Sequence, residues 1–300
     1  MPRLRLEPRP QASRLATYLS PVLAVVLTLI GAAVLFAILG RDPIRAYQAF
    51  FIDPISTFYG AGELGVKSAP LILIAIGLAI GFRASVWNIG AEGQFILGGI
   101  CGSYIALFWE PVLGPATLPV MFIAGALGGL VWAAIPALLK TQFNANEILT
   151  SLMLTYVAQL LLNFLVRGPW RNPQGYNFPQ SKSFDGYAVI EPWISGTRVG
   201  LGTALALIAV AFGWFIMSRS FLGYQIKVIG LTPAAATYAG FSTKRVTWFC
   251  LLLSGGLAGI AGINEVAGPI GQLLPVISPG YGFTAIIVAF LGRLNPVGIV

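Results

Sequence analysis

Apolar residues in this chain gather in long unbroken runs, roughly 21–39, 69–82, 91–109, 117–139, 148–166, 200–217, 246–263 and 283–300. A half-buried strand alternates apolar and polar positions, whereas runs approaching about 20 apolar residues match helices that cross a bilayer. The pattern predicts an all-α, polytopic membrane protein of about eight apolar segments. A transmembrane barrel would need short alternating segments instead. Two polar stretches interrupt the runs. One, 167–199, is rich in Arg, Pro, Asn, Gly and Ser. The other, 218–245, carries Arg219, Lys227, Lys244 and Arg245.

The first run, "PVLAVVLTLIGAAVLFAIL", follows a Pro- and Arg-rich stretch. It is longer than the roughly 7–15-residue core of a cleaved signal peptide, so an uncleaved first span is expected. This divides the chain into an N-terminal cytoplasmic tail, 1–20, and a transmembrane domain, 21–300. With the N-terminus inside, most of the 18 lysines and arginines fall on the cytoplasmic side, as the positive-inside rule requires. Arg41, Arg45, Lys67, Arg167, Arg171, Lys182 and Arg198 fall outside. The stretch 167–199 is then extracytoplasmic and 218–245 cytoplasmic.

Some segments are short for a span. Ser68–Gly81 and Phe283–Gly292 both fall below the length that crosses about 30 Å of hydrocarbon. Between 268 and 282, "GPIGQLLPVISPGYG" holds four Gly and three Pro. Such a segment is either a surface loop or a broken span, and a broken span is tolerated at membrane depth only inside protein or beside a water-filled cavity. "SAPLILIAIGLAIGFRASVWNIGAEG" and "GYGFTAIIVAFLGRLNPVGIV" share an order of small apolar residues, Arg, and an Asn-containing turn, which suits a duplicated half.

Composition strengthens the membrane reading. The chain is 57% hydrophobic and 9% charged, with mean hydropathy +0.82, against roughly 25% charged in soluble domains. The formal charge of +8 does not point to nucleic acid, because no basic run is interleaved with aromatics. There is no histidine, which removes His-based triads and His-ligated metal sites. Cys101 and Cys250 lie in apolar runs and read as buried free thiols. No G-x-x-x-x-G-K-[ST] motif is present, so nucleotide hydrolysis is not expected of this chain. No span carries acidic or basic residues in series, which argues against a proton relay or voltage sensor.

Three clusters could carry function. In "WNIGAEGQ", Asn88, Glu92 and Gln94 sit between apolar runs. A carboxylate at the centre of a membrane helix costs about 2.5–3.5 kcal/mol. The stretch is thus either a polar elbow inside the bundle, near a translocation path, or a cytoplasmic turn with Glu92 solvated or paired to Arg83. In "NANEILTSLMLTYVAQLLLNFL", Asn144 or Asn146 can cap a helix with Glu147 in its first turn. Gln159 and Asn163, four apart, share a face expected to meet other helices or a cavity. In "VIGLTPAAATYAGF", Thr232 suits an N-cap, Pro233 the first helical position and Gly240 the residue after the helix. Such a short, small-residue helix on the basic side suits docking into another protein, although a plain connector would share its Pro and Gly. Gly98 with Gly102, Gly125 with Gly129, and Gly255 with Gly259 fit close helix packing.

"FRASVWNIGAEGQFILGG", "NANEILTSLMLTYVAQLLLNFLV", "VIGLTPAAATYAGFSTKRVTWFCLLLSGGLAGIAGINEV" and "GYGFTAIIVAFLGRLNPVGIV" occur in that order. On these the chain resembles the permease subunits of bacterial ABC importers of the simple-sugar, nucleoside and branched-chain amino-acid class. The wording of "NIGAEGQ" and "NEILTSLMLTY" is closest to the nucleoside branch. The N-terminal 60 residues match nothing specific. The resemblance implies an inverted-repeat permease without chemistry or a bound cofactor of its own, multi-pass in the bacterial inner membrane. It implies two permease chains, identical or different, two cytoplasmic ATPase subunits that use ATP and Mg, and an extracytoplasmic substrate-binding lipoprotein. Gly230, Thr232, Pro233, Ala234, Ala235, Ala236, Tyr238 and Gly240 would form or frame the coupling helix that meets the ATPase, so Ala235→Asp or Ala236→Arg should abolish uptake. Asn88, Glu92 and Gln94 would lie near the pore. The family continues with further spans after "LGRLNP", so final spans are expected beyond Val300. The alternatives are a sugar permease of the same class and a stand-alone secondary transporter or channel, which would need its own ion-coupling groups. An intramembrane enzyme lacks a nucleophile and base.

Overall fold

The computed structural model describes residues 14–300, so most of the expected tail lies outside the described residues. The chain forms two compact units divided between Ala61 and Gly62. In the first, α1 (Arg14–Ile38) is followed by short helical turns. There Asp42 caps the turn by accepting from Ile44 N at 2.9 Å, and Phe36 stacks on Phe50 and meets Tyr47 edge-on.

The next helix, α2 (Phe58–Arg83), leads into the second unit. It is followed by α3 (Ala91–Phe108), α4 (Thr117–Phe143), α5 (Glu147–Arg167), α6 (Leu201–Arg219), α7 (Phe221–Leu231), α8 (Pro233–Tyr238), α9 (Thr243–Glu265) and α10 (Tyr281–Leu291). Among the described residues there is no strand, and six helices are long and apolar enough to cross a membrane: α2, α3, α4 with its N-terminal extension from Glu110, α5, α6, and α9 extended to Ile270. Val22–Ile38, α7 and α10 are apolar but shorter.

Three segments differ from the sequence expectation. The segment expected to be short, Ser68–Gly81, belongs to the 26-residue α2, because the charges that precede it have partners: Arg198 pairs with Glu63, and Glu265 with Lys67. The polar region 218–245 contains α7, started by Ser220, whose hydroxyl accepts from Gly223 N. The segment after α10 shortens into a turn with Arg293 and Leu294 at positive φ and one 3₁₀ turn, Val297–Ile299.

The spans fall into inner and outer sets. The apolar windows of α2, α3 and α9 are 67%, 72% and 72% buried, against 28%, 22% and 33% for α4, α5 and α6. The outer helices expose large apolar side chains such as Leu127, Val131, Leu160, Phe164, Ile208 and Phe212. In water such a surface would be costly, whereas lipid tails solvate it.

The tightest packing joins α3, α4 and α9. Here the spaced glycines meet one another. A Cβ on Gly98 or Gly129 would overlap the backbone of Gly259 or Gly255, and one on Gly259 would overlap the Gly125 carbonyl. Gly259 is thus the crossing point of three backbones, and only the absence of side chains permits that approach. Ser103 satisfies its hydroxyl on the Gly99 carbonyl of its own helix at 2.6 Å, so it adds no polar demand inside the bundle.

Candidate functional site

The elbow before α3 is buried, and its amides close on each other. Asn88 Nδ2 donates to Gln94 Oε1 at 2.7 Å and to Ser254 Oγ on α9 at 2.9 Å. Gln94 Nε2 donates back to Asn88 Oδ1 at 3.1 Å, and Gly90 N donates to the same oxygen. The turn is thereby tied to α9. On its other side, the ring of Trp87 packs tilted against Phe82 and stacks with Phe290.

Glu92 faces a different neighbour. Its Oε2 accepts from Gly282 N at 2.6 Å, and its carboxylate also accepts from Ser278. It meets the backbone of α10 rather than the Arg83 guanidinium. A Cβ on Gly282 would overlap the Glu92 backbone, so the N-terminal turns of α3 and α10 abut. Each helix N-terminus carries about half a positive charge. A carboxylate between two of them is a physical reason for an acidic residue at this depth. Ser278 completes the cap, accepting from Gly280 N and Tyr281 N at 3.0 and 2.9 Å.

The segment 271–280 that precedes α10 is irregular, and Leu273 and Ile277 within it are buried. It is therefore a broken segment inside the protein. Its backbone groups find partners on elements far away in sequence, as buried polar groups must. Gln159 Nε2 donates to the Pro275 carbonyl at 2.8 Å. Ser181 exchanges bonds with Leu273, its N–H donating to Leu273 O at 3.0 Å and its hydroxyl accepting from Leu273 N at 2.9 Å. Phe184 N donates to Gly271 O at 2.8 Å, and Ile190 N to Ala267 O at 3.0 Å. The polar stretch 167–199 thus folds onto the broken segment, with Phe184 and Ala188 buried. Asn163 stands one turn from Gln159 and donates to its carbonyl at 2.9 Å. Glu92 and Gln159 therefore reach the same segment, while Asn88 bonds to Ser254 on α9 and to Gln94, and Asn163 bonds within α5.

Three residues not singled out from sequence join them. Lys67 Nζ donates to Glu265 Oε1 at 2.9 Å and to Tyr281 Oη at 3.1 Å, and Tyr281 Oη lies 3.3 Å from the same carboxylate oxygen. Lys67 reads as a loop charge when α2 is taken to begin near Ser68. Glu265 is a single acidic residue in "AGIAGINEVAG"; its isolation in an apolar run is the signal that could have found it.

The third cluster lies elsewhere. Pro233 is the first residue of α8, but Thr232 makes no side-chain cap. Gly240 follows the helix at φ +77°, with Gly240 N bonded to Thr237 O and Phe241 N to Ala236 O, a Schellman closure. Ala236 is 0% exposed and packs into the chain, whereas Tyr238 is 96% exposed, and Leu231, Ala234 and Ala235 are exposed too. Gly230 lies where a Cβ would overlap the Arg83 carbonyl at the end of α2, and Ser85 donates to the Gly230 carbonyl at 3.3 Å. The α7–α8 region thus abuts the chain just before the Asn88 turn.

At the start of α5, Asn146 is the cap, accepting from Ile148 N at 2.9 Å, while Asn144 ends α4 in the left-handed region. Glu147 pairs with Lys140 at 2.7 Å. Both cysteines are free, Cys250 buried and Cys101 half-buried. Among the described residues no three His, Cys, Asp or Glu side chains are placed to hold a metal ion.

Comparison with known proteins bears on this geometry. Residues 61–300 match the family described as branched-chain amino acid transport system / permease component. A glucose ABC transporter permease protein of Haloferax volcanii is 37% identical over 99% of this chain and 80% of its own length. A guanosine ABC transporter permease protein of Bacillus subtilis is 29% identical over 96% of this chain and 83% of its own. A nucleoside ABC transporter permease protein of Lactococcus lactis is 28% identical over 94% and 79%. No solved structure matches.

Proposed function

The chain belongs to the family of branched-chain amino acid transport system permease components, and from that premise we propose that it forms half of the path of an ATP-driven importer for a neutral, hydroxyl-rich solute, a nucleoside or a sugar. The observation that carries this reading is the extent of the match, 61–300, which takes in the whole of the larger compact unit, 62–300. The names of the relatives span glucose, guanosine and nucleosides, and sugars and nucleosides share a hydroxylated ring.

In this reading the chain is a transport component, and ATP is hydrolysed with Mg on separate cytoplasmic ATPase subunits. A second permease chain completes the path, and an extracytoplasmic lipoprotein delivers the solute. The chain is multi-pass in the cell membrane with its N-terminus cytoplasmic. The α8 helix docks on the ATPase through Leu231, Ala234, Ala235 and Tyr238, with Thr232, Pro233 and Gly240 shaping its ends. The inward-facing Ala236 and the close contact at Gly230 relay the docking to the end of α2. Glu92 and Gln159 hold the broken segment beside the path, with Asn88, Gln94 and Asn163 supporting them.

Purification in mild detergent from the native host tests this. An ATPase, a second permease and a lipoprotein are expected to co-purify. Tyr238→Ala with Ala235→Asp should release the ATPase and abolish uptake while membrane insertion is retained. A chain that purifies alone and still drives uptake in vesicles without ATP would replace the importer by a self-sufficient transporter.

A further inference from the structure

The Lys67–Glu265–Tyr281 cluster is bonded on one side only. Glu265 is 2% exposed. Its Oε1 is held by Lys67 and Tyr281, but its Oε2 is enclosed with no hydrogen-bond partner among the described residues. An unsatisfied charged oxygen inside a protein is expensive, and native structures keep few of them. Lys67 shows the complementary imbalance. An ammonium has three donors. Two are used, and the side chain remains 50% exposed although it lies within a membrane-spanning helix. Hydrocarbon is a poor environment for that third donor, so this face of α2 requires a polar neighbour.

We propose that Lys67, Glu265 and Tyr281 form a recognition site for a hydroxyl group of a neutral solute, on the water-filled face of α2; this rests on the permease reading above. A hydroxyl is donor and acceptor at once. It accepts from the third N–H of Lys67 and donates to Glu265 Oε2, which supplies what each lacks. The ion pair is already neutral. An anionic solute would be repelled by Oε2, and a cationic one would compete with Lys67. A solute without hydroxyls would leave Oε2 unpaired, and such a loss discriminates more strongly than a lost apolar contact. Because Oε2 is enclosed here, binding requires an opened state in which the solute hydroxyl takes its place beside Lys67 and Oε2.

The test uses the complete importer with its own ATPase, second permease and binding protein in proteoliposomes, with D-glucose and guanosine as probes. In a Cys101→Ala, Cys250→Ala background, Leu64→Cys places a thiol three residues before Lys67 on an exposed position of α2. A charged, membrane-impermeant thiol reagent should label it, and a transported probe should slow labelling. Ile208→Cys, exposed on α6, should stay unlabelled because it faces lipid. Lys67→Gln and Glu265→Gln should each raise the KM for the transported probe on the order of tenfold, the size expected for one charge-assisted hydrogen bond. Leu64→Cys as inert as Ile208→Cys, labelling indifferent to the probe, or a wild-type KM in both glutamine variants would each overturn the inference while leaving the permease reading intact. Absence of ATP-dependent uptake of either probe by the wild-type importer would count against the nucleoside-or-sugar importer reading and remove the inference with it.

Discussion

Replacing Glu92 probes the junction between α3 and α10. The 2.6 Å bond from Gly282 N to Oε2 is charge-assisted, worth about 1.5–3 kcal/mol net. The carboxylate also lies in the first turn of α3 and at the start of α10, and each helix end contributes about 0.3–1 kcal/mol or more when partly buried. Together these offset the roughly 2.5–3.5 kcal/mol that a carboxylate costs at the centre of a membrane helix. Glu92→Gln keeps an oxygen to accept from Gly282 and loses the charge-dependent share, a cost of about 1–2 kcal/mol. Glu92→Ala also leaves the Gly282 N–H without an acceptor, for a total near 3–5 kcal/mol. The assay is unfolding in detergent followed by a thiol-reactive dye, since the Cys250 thiol is buried in the folded chain and free to react once exposed. The expected order of midpoints is wild type, then Gln, then Ala. A glutamine variant as stable as wild type, or more so, would refute the reasoning, because it would mean that desolvation outweighs the two helix ends.

Two further outcomes follow from the packing. Gly259→Ala places a Cβ against the Gly125 carbonyl, whereas Gly31 has open space around it. Gly259→Ala should lose most folded protein in a detergent size-exclusion profile while Gly31→Ala matches wild type, and equal profiles would show that the backbones do not cross so closely. Gln159→Leu removes the donor to Pro275 O at a cost of about 1–3 kcal/mol. Hydrogen exchange should then speed at the Leu273 amide and not in α9; unchanged exchange at Leu273 would dissociate Gln159 from the broken segment.

The apolar runs were legible because each span needs about 20 residues that lipid tolerates, and the glycine spacings pointed to close helix packing, though not to which helices cross. The polar contacts were harder to see. Asn88 and Gln94 stand six residues apart and their pairing is local, but Ser254 joins them from 166 residues away. Gly282 lies 190 residues from Glu92. No local pattern encodes such distances. The start of α2 was misplaced for the same reason: Glu63 and Lys67 look like loop charges until Arg198 and Glu265 are brought beside them. Ala236 was indistinguishable from Ala234 and Ala235 in a run of identical residues, and only the helix rotation separates the buried one from the exposed ones.

The two ways of holding helices in this chain differ in kind. At Gly98, Gly129, Gly255 and Gly259 backbones touch directly, and any separation loses many small contacts at once. At α10, which spans only 11 residues, about 16 Å of helix, one close backbone approach, Gly282 on Glu92, is joined by bonds from the side chains of Glu92, Ser278, Lys67 and Glu265. Each of those bonds is worth a few kcal/mol at most, and water or a solute hydroxyl can replace it. The polar residues are therefore concentrated where a single backbone contact is supplemented by bonds that a polar visitor can substitute. A lipid-facing helix gains nothing from that arrangement, but an element beside a solute path, the place proposed above for this segment, would.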